Sequence, residues 1–411
     1  MSPKLRVLFV SLTNDIGSDR LVSEFGRHGA VCGVLARPGA YSTLSRFVAR
    51  KFLLPHRLGA WGASLGLARR LAGVVAAWRP DRIIPLDELA ALAVRTVALS
   101  RGTKPAVRDL IVGSLGAPSG YAAACHRMPL MELAAGLGVR VPEFCAGTLD
   151  AAGLPFPLVL KRDHSSGSGG VAAAHNPAEL ATRLKAFRKR QFAKTALARL
   201  AGYGHRPGPM LIQRHVEGVL AMHSVVCRDG QVLDGISFEA VQIHPTKGSS
   251  TKLRVLDNNE MANAARTLAE SLGCSGFVSF DFLLDDSGRA YLIEMNPRPI
   301  GSTHLARLFG HDLCHAFLTG QAARPTSSLD REQVVALFPK ELERDPDSSC
   351  LDRGAGLFHD VPADEPAIVN AYLDHLAALH PGYRNTHRSR LGQASSPELA
   401  PGWPMAGMPA H

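Results

Sequence analysis

The chain has 411 residues, 46% of them hydrophobic and 20% charged, enough for a large core and, at roughly 100–200 residues per domain, for two to four domains. No apolar run approaches the roughly 18 residues that a membrane span needs. Seven cysteines scattered from Cys32 to Cys350 without a Cys-x-x-Cys pair exclude a zinc ribbon and a disulfide framework, and suit a reducing cytoplasm. The formal charge of +10 has its densest stretch between Arg183 and Arg214, where helical spacing without interleaved aromatics reads as a solvated helix face rather than a nucleic-acid surface.

Val7–Val10 is too short for a secretory leader and stops at Thr13, Asn14 and Asp15; followed by a helical stretch, it reads as the first β-α unit of a parallel sheet. A second such unit follows the helical stretch Trp61–Trp78: the strand Arg82–Leu86 ends in Asp87-Glu88 and runs into the helix Leu89–Leu99. Those acids either contact a ligand at the strand's carboxyl end or cap the helix. A helix is expected over Tyr121–Leu137, then strands at Pro157–Lys161, Val171–Ala174 and Met210–Gln213, with the basic helix before the last of these. Four strands are read between Ala221 and Leu256, namely His223–Val226, Gln231–Leu233, Phe238–Ile243 and Leu253–Val255. Asn258–Leu272 is helical, and Gly276–Leu284 and Arg289–Glu294 form a hairpin around Asp285-Asp286-Ser287-Gly288. Residues 393–411 have the Pro, Gly, Ala and Ser bias of a disordered tail.

Three features carry chemistry. Lys161 ends a strand and precedes a small-residue loop, Ser165-Ser166-Gly167-Ser168-Gly169-Gly170, whose backbone N–H groups can cradle phosphate oxygens while the lysine supplies a cation. Asp281 and Glu294 lie on the two strands of one hairpin, and Glu294 and Asn296, two apart, share a face. Two carboxylates and an amide oxygen make a hard, oxygen-only site suited to Mg²⁺ bridged to phosphates, and Arg298 is placed to clamp a transferring phosphoryl group. Gln213 to Gly218 is a strand leading into an irregular turn, whose extended backbone can meet an adenine edge.

The order and spacing of these features resemble the ATP-grasp enzymes, among them the ATP-grasp halves of carbamoyl-phosphate synthetase and the D-alanine–D-alanine ligases. Glu294-Met295-Asn296-Pro297-Arg298 is similar to the family's Glu-x-Asn-Pro-Arg metal motif, and the loop 165–170 to its phosphate-covering loop. Gln213–Gly218 is similar to the adenine-binding hinge, with Val216 in the base-contacting place, and Arg127 stands where many members carry a nucleotide-contacting Lys or Arg. The usual ribose-binding acid is missing from Val219–His223, leaving Glu217 or His223 to substitute. By the same resemblance the loop His244–Lys252 faces the γ-phosphate and the acceptor, with His244 to orient or deprotonate it and Lys252 to stabilise an acyl phosphate. Ser302, Thr303 and His304 either line the acceptor pocket or cap a helix.

The resemblance implies an α/β and α+β architecture: an N-terminal parallel-sheet domain at 1–112, an ATP-grasp domain at 113–320 with its lid at about 143–214, and a C-terminal extension at 321–392. It implies a cytoplasmic, ATP- and Mg²⁺-dependent (alternatively Mn²⁺-dependent) ligase that joins a small carboxylate to an amine, with neither membrane nor nucleic acid as partner. A homodimer is compatible with it. A phosphoryl transferase on the same module and a nucleotide-binding protein without turnover are the alternatives. The segments around Phe338–Pro346 and His359–Pro362 show no legible chemistry.

Overall fold

The computed structural model of the protein describes residues 4–54, 66–147, 153–163, 170–200, 209–352 and 356–394. Four parallel strands open it: β1 (Arg6–Ser11), β2 (Val31–Ala36), β3 (Val48–Leu53) and β4 (Arg82–Pro85), in the order β3-β2-β1-β4. Val7 to Val10 are wholly buried because both faces of the sheet are covered. Helix α1 (Arg20–Arg27) lies on one face, and α2 (Leu67–Trp78) and α3 (Glu88–Leu99) pack with Leu8, Val10 and Ile83 on the other. The chain leaves β1 for β2 on one side and reaches β4 on the other, so the carboxyl ends of β1 and β4 flank a topological switch point. Asp15 and Asp87-Glu88 stand there.

After α4 (Pro105–Leu115), the expected single helix Tyr121–Leu137 is two, α5 (Tyr121–Cys125) and α6 (Arg127–Gly136). His126 between them is extended, with φ −123° and ψ 132°. The break lets one carboxylate, Asp163, meet both the His126 ring at 2.9 Å and the Arg127 backbone N–H at 2.9 Å.

A small antiparallel sheet follows, β5 (Phe144–Ala146), β6 (Leu158–Lys161), β7 (Val171–Ala174) and β8 (Leu211–Arg214), in the order β5-β8-β6-β7. Leu180, Leu184 and Phe187 of α7 (Pro177–Leu200) bury its Leu158, Leu160 and Ile212.

The largest sheet has seven strands in the order β13-β12-β9-β10-β11-β14-β15. They are β9 (Val219–Arg228), β10 (Gln231–Ile243), β11 (Ser250–Leu256), β12 (Gly276–Leu284), β13 (Ala290–Asn296), β14 (Val334–Ala336) and β15 (Leu357–His359). The two pieces expected at Gln231–Leu233 and Phe238–Ile243 are thus one strand; a register shift between Val232 and Asp234 lets β10 run on past the polar residue. Met222, Phe238, Leu253 and Val255 share a core with the parallel sheet, joined through the edge-to-face rings of Phe9, Phe25 and Phe317, the last on α9 (Leu313–Thr319). Ala221, Val225, Phe280 and Phe282 on the opposite face pack with α6 and with α8 (Asn259–Ser271), which the Asn258 side chain caps.

The C-terminal region adds α10 (Lys340–Arg344), α11 (Pro366–Leu379) and α12 (Arg384–Ala394). It is held to the N-terminal sheet's helices by buried polar contacts. Glu365 accepts hydrogen bonds from Ser23 at 2.5 Å, Ser45 at 2.7 Å and the Arg46 backbone at 2.9 Å. Both carboxylate oxygens of Asp364 accept from one Arg27 nitrogen, Nη2, at 2.7 and 2.8 Å.

Candidate active site

The hairpin β12–β13 closes on Asp285, which accepts from the backbone of Ser287 and of Arg289, both at 3.0 Å. That turn sets a register in which Asp281 lies opposite Glu294, and Ser279 opposite Asn296. The Asn296 amide donates to Asp281 at 3.2 Å. Burial raises the Asp281 carboxyl to about 7, and the neighbouring Glu294 charge adds to the rise. A divalent cation would relieve that repulsion. Among the described residues no three His, Cys, Asp or Glu side chains converge as a metal cage. A pair of carboxylates plus an amide oxygen is instead the partial set that Mg²⁺ completes with phosphate oxygens and water.

Three cations surround the carboxylates. Arg127, at the start of α6, reaches Glu294 at 2.5 Å and also donates to the Arg162 carbonyl. Lys161 ends β6 and donates to the Ile293 carbonyl at 3.1 Å, beside Glu294. Burial lowers its pKa to about 8, against the pull of Glu294. Arg298 lies 3.5 Å from Glu88 and 3.9 Å from Asp15, so it ties the hairpin to the switch point of the parallel sheet.

The two acids after β4 divide their work. Asp87 caps α3 through the Ala90 N–H at 2.9 Å and accepts from Leu12 at 2.7 Å and Thr13 at 3.0 Å, fixing the loop that carries Asp15. Glu88 faces Arg298, and burial raises its pKa. With Cys125, His126, Arg127 and Glu294 it lines one small cleft. Asp163, which anchors the stem of the glycine loop to α6, had no signal in the sequence, because its partners are 36 and 37 residues away.

The other candidate residues are placed as follows. Ser165 to Gly169 lie outside the described residues; Gly170 accepts from the Arg162 N–H at 2.9 Å and closes the stem of that loop. Gln213 is buried with its amide 3.2 Å from the Met131 sulfur, Val216 is buried, and Glu217 is exposed. His223 is no substitute for the ribose-binding acid: it is buried and bonded to Ser237 at 2.7 Å, and burial lowers its pKa to about 4. His244 is not brought to the cluster; its ring accepts from Thr246 and Lys247 of its own exposed turn, each at 3.3 Å. Lys252 sits on β11, three strands from β12 and so roughly 14 Å away at normal strand spacing. Its ammonium pairs with Glu341 at 3.2 Å. Ser302, Thr303 and His304 are buried and bonded to Met222, the Ile300 N–H and Asp360 respectively.

Residues 131–302 match the ATP-grasp domain family. Over 246 residues the chain is 24% identical to an uncharacterized protein of Sinorhizobium fredii, covering 55% of this chain and 71% of that one. Over 209 residues it is 26% identical to the D-alanine–D-alanine ligase of Anaeromyxobacter sp., covering 44% of this chain and 60% of the ligase. The biotin carboxylase domain of Hydrogenobacter thermophilus 2-oxoglutarate carboxylase shares the fold with a TM-score of 0.58 at 14% identity, over 80% of this chain and 73% of that one. The L-amino acid ligase from Bacillus licheniformis does so with a TM-score of 0.55 at 15% identity, over 80% of this chain and 76% of that one. Among the described residues no helix is long and apolar enough to cross a membrane.

Proposed function

With an ATP-grasp domain at residues 131–302, we propose that the chain is an ATP-dependent ligase that activates a small carboxylate as an acyl phosphate and joins it to an amine in the cytoplasm. The observation that carries this reading is the convergence of Asp281, Glu294 and Asn296 on adjacent strands, enclosed by Arg127, Lys161 and Arg298. An acidic oxygen cluster ringed by cations matches the charge pattern of a metal-bound polyphosphate. The domains of the reading are an α/β unit at 1–112, the ATP-grasp unit at 113–320 and an extension at 321–392.

In this mechanism the turn at Gln213–Glu217 would meet the adenine base of ATP. Asp281, Glu294 and Asn296 would hold Mg²⁺, which would supply charge neutralisation on the phosphate oxygens. Lys161 and the loop 165–170 bind the phosphates, and Arg127 exchanges its bond to Glu294 for one to the nucleotide. The substrate carboxylate enters from the switch point, and Arg298 orients it toward the γ-phosphorus and stabilises charge in the transfer. The amine then attacks the acyl carbon, and phosphate departs.

The test is ADP release with ATP and Mg²⁺ over pooled amino acids, dipeptides and small carboxylates, with product masses measured in parallel. The expected product has the mass of two substrates less water. A phosphorylated substrate in its place would make the chain a phosphoryl transferase. ATP binding without ADP from any pool would leave it a nucleotide-binding protein.

A further inference from the structure

Lys340 opens α10 in the C-terminal region and is half-buried. Its ammonium lies over the turn that follows Arg298. A Cβ built on Gly301 would stand 2.9 Å from Lys340 Nζ and 3.1 Å from the Ile16 carbonyl oxygen. Gly17 packs on the same spot, since a Cβ there would fall 2.8 Å from the Gly301 Cα. Three segments far apart in sequence therefore meet in one corner, next to the switch-point loop that carries Asp15. Lys340 lies within electrostatic reach of Asp15, Glu343, Asp360 and Arg298.

Each of those acids already has partners. Glu343 is bonded to Lys247 and, at 2.8 Å, to His375. Asp360 is bonded to His304 at 2.9 Å and to the Phe338 N–H at 2.5 Å, with Arg20 at 3.7 Å. Asp15 faces Arg298 at 3.9 Å. The Lys340 ammonium makes no hydrogen bond, and no ion pair within 4.0 Å, among the described residues. A partly desolvated ammonium without a counter-ion is costly, and burial here lowers its proton affinity. The missing counter-ion can come with a ligand.

We propose that Lys340 is a substrate-binding residue, holding at the Gly17–Gly301 corner a carboxylate that the reaction does not consume. The inference rests on the ligase reading for the ligand's being a substrate. It assigns the substrate class as a small molecule with a second carboxylate, one engaged by Arg298 for activation and one by Lys340 for binding. Gly301 is part of the device, because a side chain there would displace the ammonium.

The experiment is thermal unfolding of the full chain with MgADP, titrated with the dicarboxylates from malonate to adipate and with their neutral diamides. Wild type is stabilised by at least one dicarboxylate and by no diamide. Lys340→Met raises the half-saturating concentration about ten- to a hundred-fold, the range for losing a hydrogen bond to a charged group. Lys340→Arg retains part of the response, and Gly301→Ala weakens it. An unchanged MgADP response shows that the variants are folded. Wild-type indifference to every dicarboxylate, or a Lys340→Met response equal to wild type, overturns the proposal. The ligase reading fails separately: its signature is dicarboxylate binding that depends on Lys340, without stimulated ADP release from any pool.

Discussion

Arg127 and Glu294, 167 residues apart, form a 2.5 Å ion pair within the candidate site. The guanidinium occupies the carboxylate that the proposed metal would use. Arg127 is in turn fixed by Asp163 through its backbone N–H and by the Arg162 carbonyl through its side chain. Helix α6, the stem of the glycine loop and the β12–β13 hairpin therefore meet at one residue. In the ligase reading, nucleotide and metal binding rearranges that junction.

Replacing Arg127 with Met tests this competition. The variant leaves Glu294 without its partner, and because Glu294 is 29% exposed the loss of stability is expected at about 1–3 kcal/mol, below that for a fully buried pair. Mg²⁺ alone is expected to raise the melting temperature more in Arg127→Met than in wild type, because Glu294 is no longer neutralised. Equal Mg²⁺ shifts in the two proteins would count against a metal role for Glu294.

Arg298 joins the hairpin to Glu88 and Asp15 from a position that is only 12% exposed. In the ligase reading Arg298→Met lowers the rate of ADP release about 10²–10³-fold, as for loss of one donor to developing charge. ATP affinity changes much less. A parallel loss of ATP binding, measured by calorimetry, would make Arg298 a nucleotide-binding rather than a transfer residue.

The C-terminal region carries an acid-labile pair. Burial pushes Glu341 upward, but bonds from Arg344, Thr251, Ser348 and Lys252 outweigh it and bring its pKa down to about 2. Glu343 is likewise brought to about 2, against burial, by His375 and Lys247. Because both folded-state values are depressed, their stabilisation is present above about pH 4.5 and is lost as pH falls from there through 2. At full strength it amounts to at most about 3 kcal/mol each. Urea titrations across that range should show a steeper loss of stability in wild type than in the Glu341→Gln, Glu343→Gln double variant.

Glu365 binds the C-terminal region to the N-terminal sheet's helices through two serine hydroxyls and one backbone N–H, and is 1% exposed. Glu365→Ala leaves those donors buried without an acceptor, and a loss of about 2–4 kcal/mol is expected in denaturant unfolding. A loss below about 0.5 kcal/mol would mean that water replaces the carboxylate there.

The β12–β13 hairpin was legible in the sequence because its information is local. Asp281, Glu294 and Asn296 are set by strand alternation across one turn, and the turn residues Asp285 to Gly288 lie between them. The β-α units and the lysine at the end of β6 are legible for the same reason. His126 is different: propensity carries a helix through it, and only the distant Asp163 makes an extended residue the better choice. Gln231–Ile243 reads as two strands in isolation, while pairing of Asp234 to Ser237 with β9 carries one strand through the interruption.

What the sequence by itself determined is the juxtaposition of Asp281, Glu294 and Asn296, because residues two apart on a strand or across a tight turn have no freedom to separate. Which cations enclose them was decided by tertiary structure. Arg127, Lys161 and Arg298 come from three segments that meet only when the parallel sheet, the small sheet and the seven-stranded sheet pack. Burial then sets their electrostatics, raising Asp281 and lowering Lys161. Desolvation depends on everything packed around a group, and spacing along the chain carries no record of it.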